Sequence, residues 1–595
     1  MRSSRFGPRP VPPKPEGVTV LKSKLHDQVS ISYKEPGLCE TTPGVKSFAG
    51  HVHLPPGILD DVNGHPQDYP MNTFFWFFEA RKDPENAPLA IWLNGGPGAS
   101  SVLGLFMESG PCIINADSKT TSLNPWSWNN EVNMLYIDQP NQVGFSYDTP
   151  TNFTRTLDGT LIPTDFSDGV PPYNLTARPG TYSSQNESHT VNTTAQASHA
   201  LWHFAQTWFA EFPHYKPNDD RVSIWAESYG GHYGPSAMRF FQQQNKKIDE
   251  GAIDAHYIHL DTLGIINGYL DATIQEEAYI TFPYNNTYGL QIFNESIYEE
   301  MMHNHNKPGG CKDQMKACED ALAAYDIGAV NSGKVDVDSI CNLGPCKSAS
   351  NDVYLTLDHA WLDIAHPSHD PFPAPLVHGY LTQASVLEAI GSPVNFSYVS
   401  DAVANSFTAT FDEVHGGFVD AVGYLLDNGI KVHMMYGDRD YACNWVGGEV
   451  ASLAVKYSRS EDFARAGYAP FDTSTGVAGF TRQVGNYSFS RVFQAGHMIP
   501  SYQPEAAYEI FMRATFDRDI PTGRLRVTDD LSTEGPLSTW HIKNDPPKVP
   551  KPRCYVLDSA TCIPEVWAKV LDGTAKIKDF FVIEDEDEEP FTEEL

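Results

Sequence analysis

Residues 221–233 read RVSIWAESYGGHY. Val222 to Trp225 form a short apolar, β-branched run, and helix-compatible residues follow from about Gly234 to Gln244. The six residues between, Ala226-Glu227-Ser228-Tyr229-Gly230-Gly231, therefore lie where a strand passes into a helix. A serine held there at a strained backbone angle needs small neighbours two positions before and after it. Gly230 meets the second requirement, and Ala226 meets the first, where Gly is commoner. The stretch reads as a nucleophile elbow presenting Ser228, although an exposed Ser in an ordinary strand–helix turn would look the same.

Working outward, short buried-strand patterns alternate with longer helical ones. Residues 88–93, 132–137, 221–225, 262–266 and 430–436 read as strands, and 195–211 and 503–514 as helices. Phe74 to Phe78 reads as one more buried strand. The alternation predicts an α/β fold with a mostly parallel central sheet. Two loops follow candidate strands downstream: Tyr436-Gly437-Asp438-Arg439-Asp440 after 430–436, and Gln494-Ala495-Gly496-His497-Met498 after 488–493. Serine, acid and histidine in that order suit a triad at the carboxyl edge of such a sheet. A serine hydroxyl needs an imidazole to take its proton, and the imidazole needs a carboxylate to orient it. By residue type alone, Asp438 and Asp440 are both candidates.

Three regions break the rhythm. Residues 149–194 are rich in Thr, Ser, Asn, Gly and Pro and read as a glycosylated surface insertion. Residues 272–400 lack clear strands, hold four clustered cysteines and read as an inserted cap. The core is accordingly split into 31–271 and 401–519, between a flexible segment at 1–30 and an acidic C-terminal extension at 520–595.

The 595 residues carry 75 acidic and 41 basic side chains, a formal charge of −34. Such a surface repels phosphate backbones and anionic lipid, which argues against nucleic-acid or membrane-surface partners. No run of apolar residues is long enough to span a bilayer. Nine cysteines and eight Asn-x-Ser/Thr sequons, at Asn152, Asn174, Asn186, Asn192, Asn285, Asn294, Asn395 and Asn486, favour the secretory pathway, with N-linked glycans, disulfides and a secreted or vacuolar location. The first residues, MRSSRFGPRPVPPKPEG, contain no signal peptide, so either a leader has been removed or the start is mis-assigned. His303, His305, His359, His366 and His369 lack the spacing of a hydrolytic zinc site and read as cap-surface residues. No metal is expected, and the chain has no phosphate-binding Gly loop and no other cofactor signature.

Four ordered stretches carry a resemblance: Trp92-Leu93-Asn94-Gly95-Gly96-Pro97-Gly98, 225–233, 437–447 (GDRDYACNWVG) and 495–500 (AGHMIP), with IDQPNQVGFSY at 137–147. Together they resemble the fungal secreted serine carboxypeptidases, within the α/β-hydrolase superfamily, over about 90–515. The resemblance implies an exopeptidase that releases C-terminal residues from peptides and proteins, in acid, through an acyl-enzyme. It implies Ser228 as nucleophile, His497 as base and then acid, and Asp440 rather than Asp438 as the orienting carboxylate. The backbone N–H groups of Gly96 and Tyr229 become the oxyanion hole. Trp92, Asn94, Gly95, Glu108 and Glu227 become the grip on the substrate carboxylate, where two close carboxyls would share a proton.

The same resemblance implies a free thiol at Cys443 near the site and nested cap disulfides, 311–346 and 318–341. Cys39–Cys112 and Cys554–Cys562 are then what remains. Many relatives have Cys where Ala99 follows GGPG, so that bridge is absent here. Two other readings stay open on the same scaffold: an acyltransferase or lyase acting on small metabolites, and an inert binding module.

Overall fold

The computed structural model describes residues 11–60, 67–325, 337–342, 344–370, 372–549 and 551–583. Twelve strands form one sheet: β1 (Thr19–Lys22), β2 (Ser30–Lys34), β3 (Ser47–Leu54), β4 (Met71–Phe78), β5 (Leu89–Leu93), β6 (Asn133–Ile137), β7 (Val222–Glu227), β8 (Leu260–Ile266), β9 (Lys431–Gly437), β10 (Ala469–Thr473), β11 (Gly476–Val484) and β12 (Tyr487–Val492). Their order is β1-β2-β3-β4-β6-β5-β7-β8-β9-β12-β11-β10. The central run from β6 to β12 is parallel, and antiparallel strands extend it at both edges.

β5, β6, β7 and β9 are buried at every position, as strands covered on both faces must be. On one face lie α1 (Thr194–Glu211), α2 (Gly230–Asp249) and α3 (Phe418–Asp427). Leu201, Phe204 and Trp208 of α1 recur at helical spacing and pack with Ile91, Ile224 and Leu263. On the other face α4 (Pro504–Thr515) packs Ile510 and Phe511 against Trp92, Trp128 and Trp225. Each such side chain contributes roughly 1.5–3 kcal/mol on leaving water. The two layers leave the carboxyl ends of the parallel strands free to carry loops.

Over the described residues, the 272–400 stretch holds helices at Ala272–Gln275, Ala278–Tyr284, Glu295–Asn306, Cys311–Tyr325, Val337–Ile340 and Gly344–Leu355. Cys311–Cys346 and Cys318–Cys341 join its elements, while Cys39–Cys112 and Cys554–Cys562 are bridged elsewhere. The end of the 272–400 stretch behaves differently: Val377, Tyr380, Leu387 and Phe396 join the core layer of α4. Among the described residues, no helix is long and apolar enough to cross a membrane.

Several expectations need correcting. The segment 1–30 is not wholly flexible, because β1 pairs with β2 from Thr19 to Lys22; residues 1–10 lie outside the described set. The reading of 149–194 as a surface insertion stands untouched, and within it Thr151–Thr156, Leu161–Pro163 and Ala177–Tyr182 form a three-stranded antiparallel sheet. Much of the C-terminal extension is ordered: helix Pro564–Leu571 and the paired strands Ile577–Lys578 and Phe581–Val582 pack around the Cys554–Cys562 bridge. Its Tyr555 hydroxyl donates to Ser118 Oγ at 3.0 Å and accepts the Gly379 N–H at 3.1 Å. The acidic end, 584–595, falls outside the described residues.

His305 and His366 are buried rather than on the cap surface. Asn395 is only 5% exposed, and its side-chain oxygen accepts the Thr181 N–H at 2.8 Å, so this sequon lies inside the fold.

Candidate active site

β7 ends at Glu227, and the chain turns sharply at Ser228 before α2 begins. Ser228 has φ +63°, a left-handed conformation that costs a non-glycine residue about 1–3 kcal/mol. Neighbouring strands hold it there: Ser228 N–H donates to Ile266 O at 3.0 Å, and its carbonyl accepts Tyr269 N–H at 2.9 Å. A Cβ at Gly230 would stand 2.8 Å from the Ala226 Cβ, so the small pair expected from the sequence is a steric necessity. A Cβ at Gly95 would collide with the Tyr229 amide nitrogen. The Gly95–Gly96 loop thus lies directly against the elbow, with Gly96 itself at φ +105°.

Two further strands lead to the candidate acid and base. β9 leads into Asp438 and Asp440, and β12 leads towards His497. His497 Nδ1–H donates to Asp440 Oδ2 at 2.7 Å. That oxygen also accepts Asn267 Nδ2–H at 2.8 Å and the Cys443 N–H at 3.1 Å. Asp438 faces elsewhere: it accepts from Arg491, Tyr288, the Gln494 backbone and Asn544, so geometry separates the two acids. Burial alone would lower the His497 pKa, but the Asp440 and then Glu227 carboxylates outweigh it and raise it above the usual imidazole range.

Cys443 is buried and unbridged, with its thiol against the Ser228 hydroxyl. Burial first, and then the Asp440 charge, pushes that thiol well above its ordinary pKa, so it stays protonated. Its sulfur lies within 4.8 Å of both the His497 and Asp440 ligand atoms, which brings Ser228, His497 and Asp440 into one site. The imidazole and carboxylate of this trio are bonded to each other, an arrangement that serves proton transfer.

Beside Ser228, His497 and Asp440 lies a second constellation. Asn94 Nδ2–H donates to Glu227 Oε1 at 3.0 Å, and Asn94 Oδ1 accepts from Trp92 Nε1–H at 2.8 Å and the Gly104 N–H at 3.1 Å. Trp92 is fully buried with its only donor spent on Asn94, so it positions the amide instead of touching a ligand. Glu108 and Glu227 are buried near each other, and neither Glu108 oxygen nor Glu227 Oε2 has a partner of good hydrogen-bond geometry. Burial pushes Glu108 up to about 7, held back by its contacts with Glu227 and Asn94. Burial, and then the Glu108 charge, raises Glu227 further. Two such carboxyls cannot both ionise cheaply, and the pair retains a proton.

Residues 36–517 match the model of the Peptidase_S10 family, serine carboxypeptidase. The chain belongs to the serine carboxypeptidase family. Carboxypeptidase S1 homolog A of Arthroderma otae is 51% identical over 584 residues, covering 96% of this chain and 89% of the relative. Carboxypeptidase S1 of Penicillium janthinellum is 35% identical over 483 residues, covering 80% and 97% respectively. Among solved structures, Kex1ΔP, a prohormone-processing carboxypeptidase from Saccharomyces cerevisiae, aligns with a TM-score of 0.57 at 20% identity, over 79% of this chain and 91% of that one. That likeness supports the α/β-hydrolase architecture already evident in the sheet order.

Some residues of this serine carboxypeptidase site were not anticipated. Asn267, at the end of β8, supports Asp440 and accepts the Gly437 N–H at 3.1 Å. Leu362 O accepts the His497 N–H at 2.9 Å, and Asp363 pairs with Arg439 at 2.9 Å, tying the cap to both catalytic loops. No local motif marks either contact, because the partners are brought together only by tertiary packing.

Proposed function

We propose that this serine carboxypeptidase removes single residues from the C-termini of peptides and proteins. Ser228 Oγ attacks the scissile carbonyl carbon while His497 accepts the hydroxyl proton, and Asp440 steadies the resulting imidazolium. The backbone N–H groups of Gly96 and Tyr229 meet the developing oxyanion, each worth roughly 3–4 kcal/mol. His497 returns the proton to the departing amine, leaving the acyl group esterified to Ser228. Water, deprotonated by the same imidazole, then hydrolyses the ester and restores the serine.

The observation that carries the exopeptidase reading is the buried Glu108–Glu227 pair beside Asn94, in the same site as the triad. A protonated carboxyl there can donate to a substrate carboxylate, as can Asn94 and the Gly95 N–H. Protonation has a second effect: Glu227 is one of two carboxylates that hold the proton on His497, so neutralising it helps free the base. The first effect favours acid, in keeping with hydrolysis below neutrality.

We further propose passage through the secretory pathway to a secreted or vacuolar location, with glycans on exposed sequons such as Asn174, Asn285 and Asn486. The four disulfides support this placement.

The deciding experiment compares initial rates on an N-blocked dipeptide with a free C-terminal carboxylate and on the corresponding amide. A preference of about a hundredfold or more for the free acid in acid is expected, narrowing as the pH passes about 7 and Glu108 ionises. Equal rates at pH 5 would refute the carboxylate grip, and loss of both activities in Ser228→Ala checks the nucleophile.

A further inference from the structure

The strands Thr151–Thr156 and Ala177–Tyr182 of the inserted sheet place Arg155 directly opposite Arg178. Like charges facing each other across an antiparallel ladder repel and need compensation. Among the described residues, neither guanidinium is in an ion pair, although the chain carries 75 acidic side chains against 41 basic ones. Both Nε atoms are buried without a hydrogen-bond partner. Arg178 Nη2 donates to the Thr156 carbonyl at 3.1 Å, which satisfies only part of its fork. The carboxylate closest in influence is Asp558 of the C-terminal extension, but its Oδ1 already accepts the Ala560 N–H at 3.1 Å. The remaining groups around the pair are Tyr173, Tyr182, Tyr555 and the imidazole of His378.

This pair is connected to the active site. His378 stands in the field of both arginines and stacks on Tyr398, with 4.7 Å between ring centroids. The Tyr398 carbonyl accepts the N–H of Ser100, on the loop that follows Gly95 and Gly96, at 3.2 Å. Its phenol in turn lies in the field of Glu108 and Glu227. His378 and Tyr398 are each partly exposed. His378 and Tyr398 thus stand between the arginine pair and the paired carboxyls, each in the field of its nearer group.

We propose that Arg155 and Arg178 form a subsite for an anionic side chain on the residue being released, so that the enzyme prefers peptides ending in Asp or Glu. The inference rests on the exopeptidase reading above. Two guanidinium forks with unspent donors match the lone pairs of a carboxylate, and the ligand supplies a direct ion-pair partner, which Asp558, acting on Arg155 without pairing with it, does not. The C-terminal carboxylate and the side-chain carboxylate then occupy different positions. The first meets a retained proton, and the second meets fixed cations.

The test measures kcat/KM at pH 5.5 for N-blocked dipeptides that end in Glu, in isosteric Gln or in Leu. The wild-type ratio of Glu to Gln is expected to be about tenfold or more, the order that a charge-assisted pair gives. Arg155→Gln and Arg178→Gln should bring the ratio towards one, and Arg155→Lys should retain part of it. Asp558→Asn, which removes the competing carboxylate, should increase it. A wild-type ratio of one with Gln and Leu still cleaved would overturn the subsite alone, as would a high ratio that the Gln variants leave unchanged. Failure to cleave any free-acid substrate would instead overturn the exopeptidase reading.

Discussion

Asp438 and Glu227 both sit at the carboxyl end of a central strand and both are buried, but their surroundings differ. Asp438 is met by the fully buried Arg491 at 3.1 Å and by hydrogen bonds from Tyr288, Asn544 and a backbone N–H. Glu227 has Asn94 on one oxygen, no good partner on the other, and a second carboxyl where a cation would be expected. Burial raises the pKa of both acids. At Asp438 a guanidinium opposes that rise, whereas at Glu227 the neighbour adds to it. The first arrangement favours a charge and fastens loops; the second favours a retained proton, which the proposed carboxylate grip would use. Buried acids of one chain thus divide into anchors and donors according to what faces them.

The comparison breaks first at the anchor. Arg491→Leu strands the Asp438 charge and should cost about 3–5 kcal/mol, read by chemical denaturation at pH 7; a loss below about 1 kcal/mol would mean that Asp438 is not ionised. Next, Glu227→Gln should leave the fold intact while reducing kcat/KM on free-acid substrates by about a hundredfold, or ~2.7 kcal/mol. The same change should alter the pH profile, and an unaltered profile would remove Glu227 from the proton-holding pair.

The smallest effect concerns stability against pH. Glu108 has a folded-state pKa near 7 against an ordinary value of 4.5, so the native state binds the extra proton between those limits. Its contribution is fully present below about pH 4.5, declines as pH rises, and is gone above about 7. Glu108→Gln should therefore flatten the decline of unfolding free energy over this window by on the order of 1–2 kcal/mol. A steeper decline in the variant would reverse the assignment.

How legible all this was depended on how local each feature is. The elbow could be read from six contiguous residues, because the steric demand that Gly230 and Ala226 satisfy lies within one turn. The central strands were equally plain, since burial on both faces leaves unbroken apolar runs. Asp440 could not be separated from Asp438 by type; resemblance chose it, and the His497 contact agrees. Trp92 was assigned to the substrate, yet its indole N–H is consumed by Asn94, a contact that only folding reveals. Asn267 and Asp363 left no trace in any motif. The C-terminal extension was read only as acidic, because prolines and acids dominate its composition, whereas 551–583 carries one disulfide and buried side chains such as Tyr555. His305 and His366 show the same limit, since isolated polar residues carry no periodicity from which burial can be read.

Asn395 links the insertion to the core in a way that bears on quality control. Its side-chain oxygen bonds the Thr181 N–H, and its own N–H bonds the Thr181 carbonyl at 2.6 Å. Neither bond uses the side-chain nitrogen that would carry a sugar, but at 5% exposure the closed joint leaves little room for one, since N-linked glycans are bulky and belong on the surface. Site occupancy at Asn395, measured by glycopeptide mass spectrometry, would therefore serve as a timer. It would count the chains whose glycosylation outran the closing of this joint, and those chains should be the ones retained by the cell.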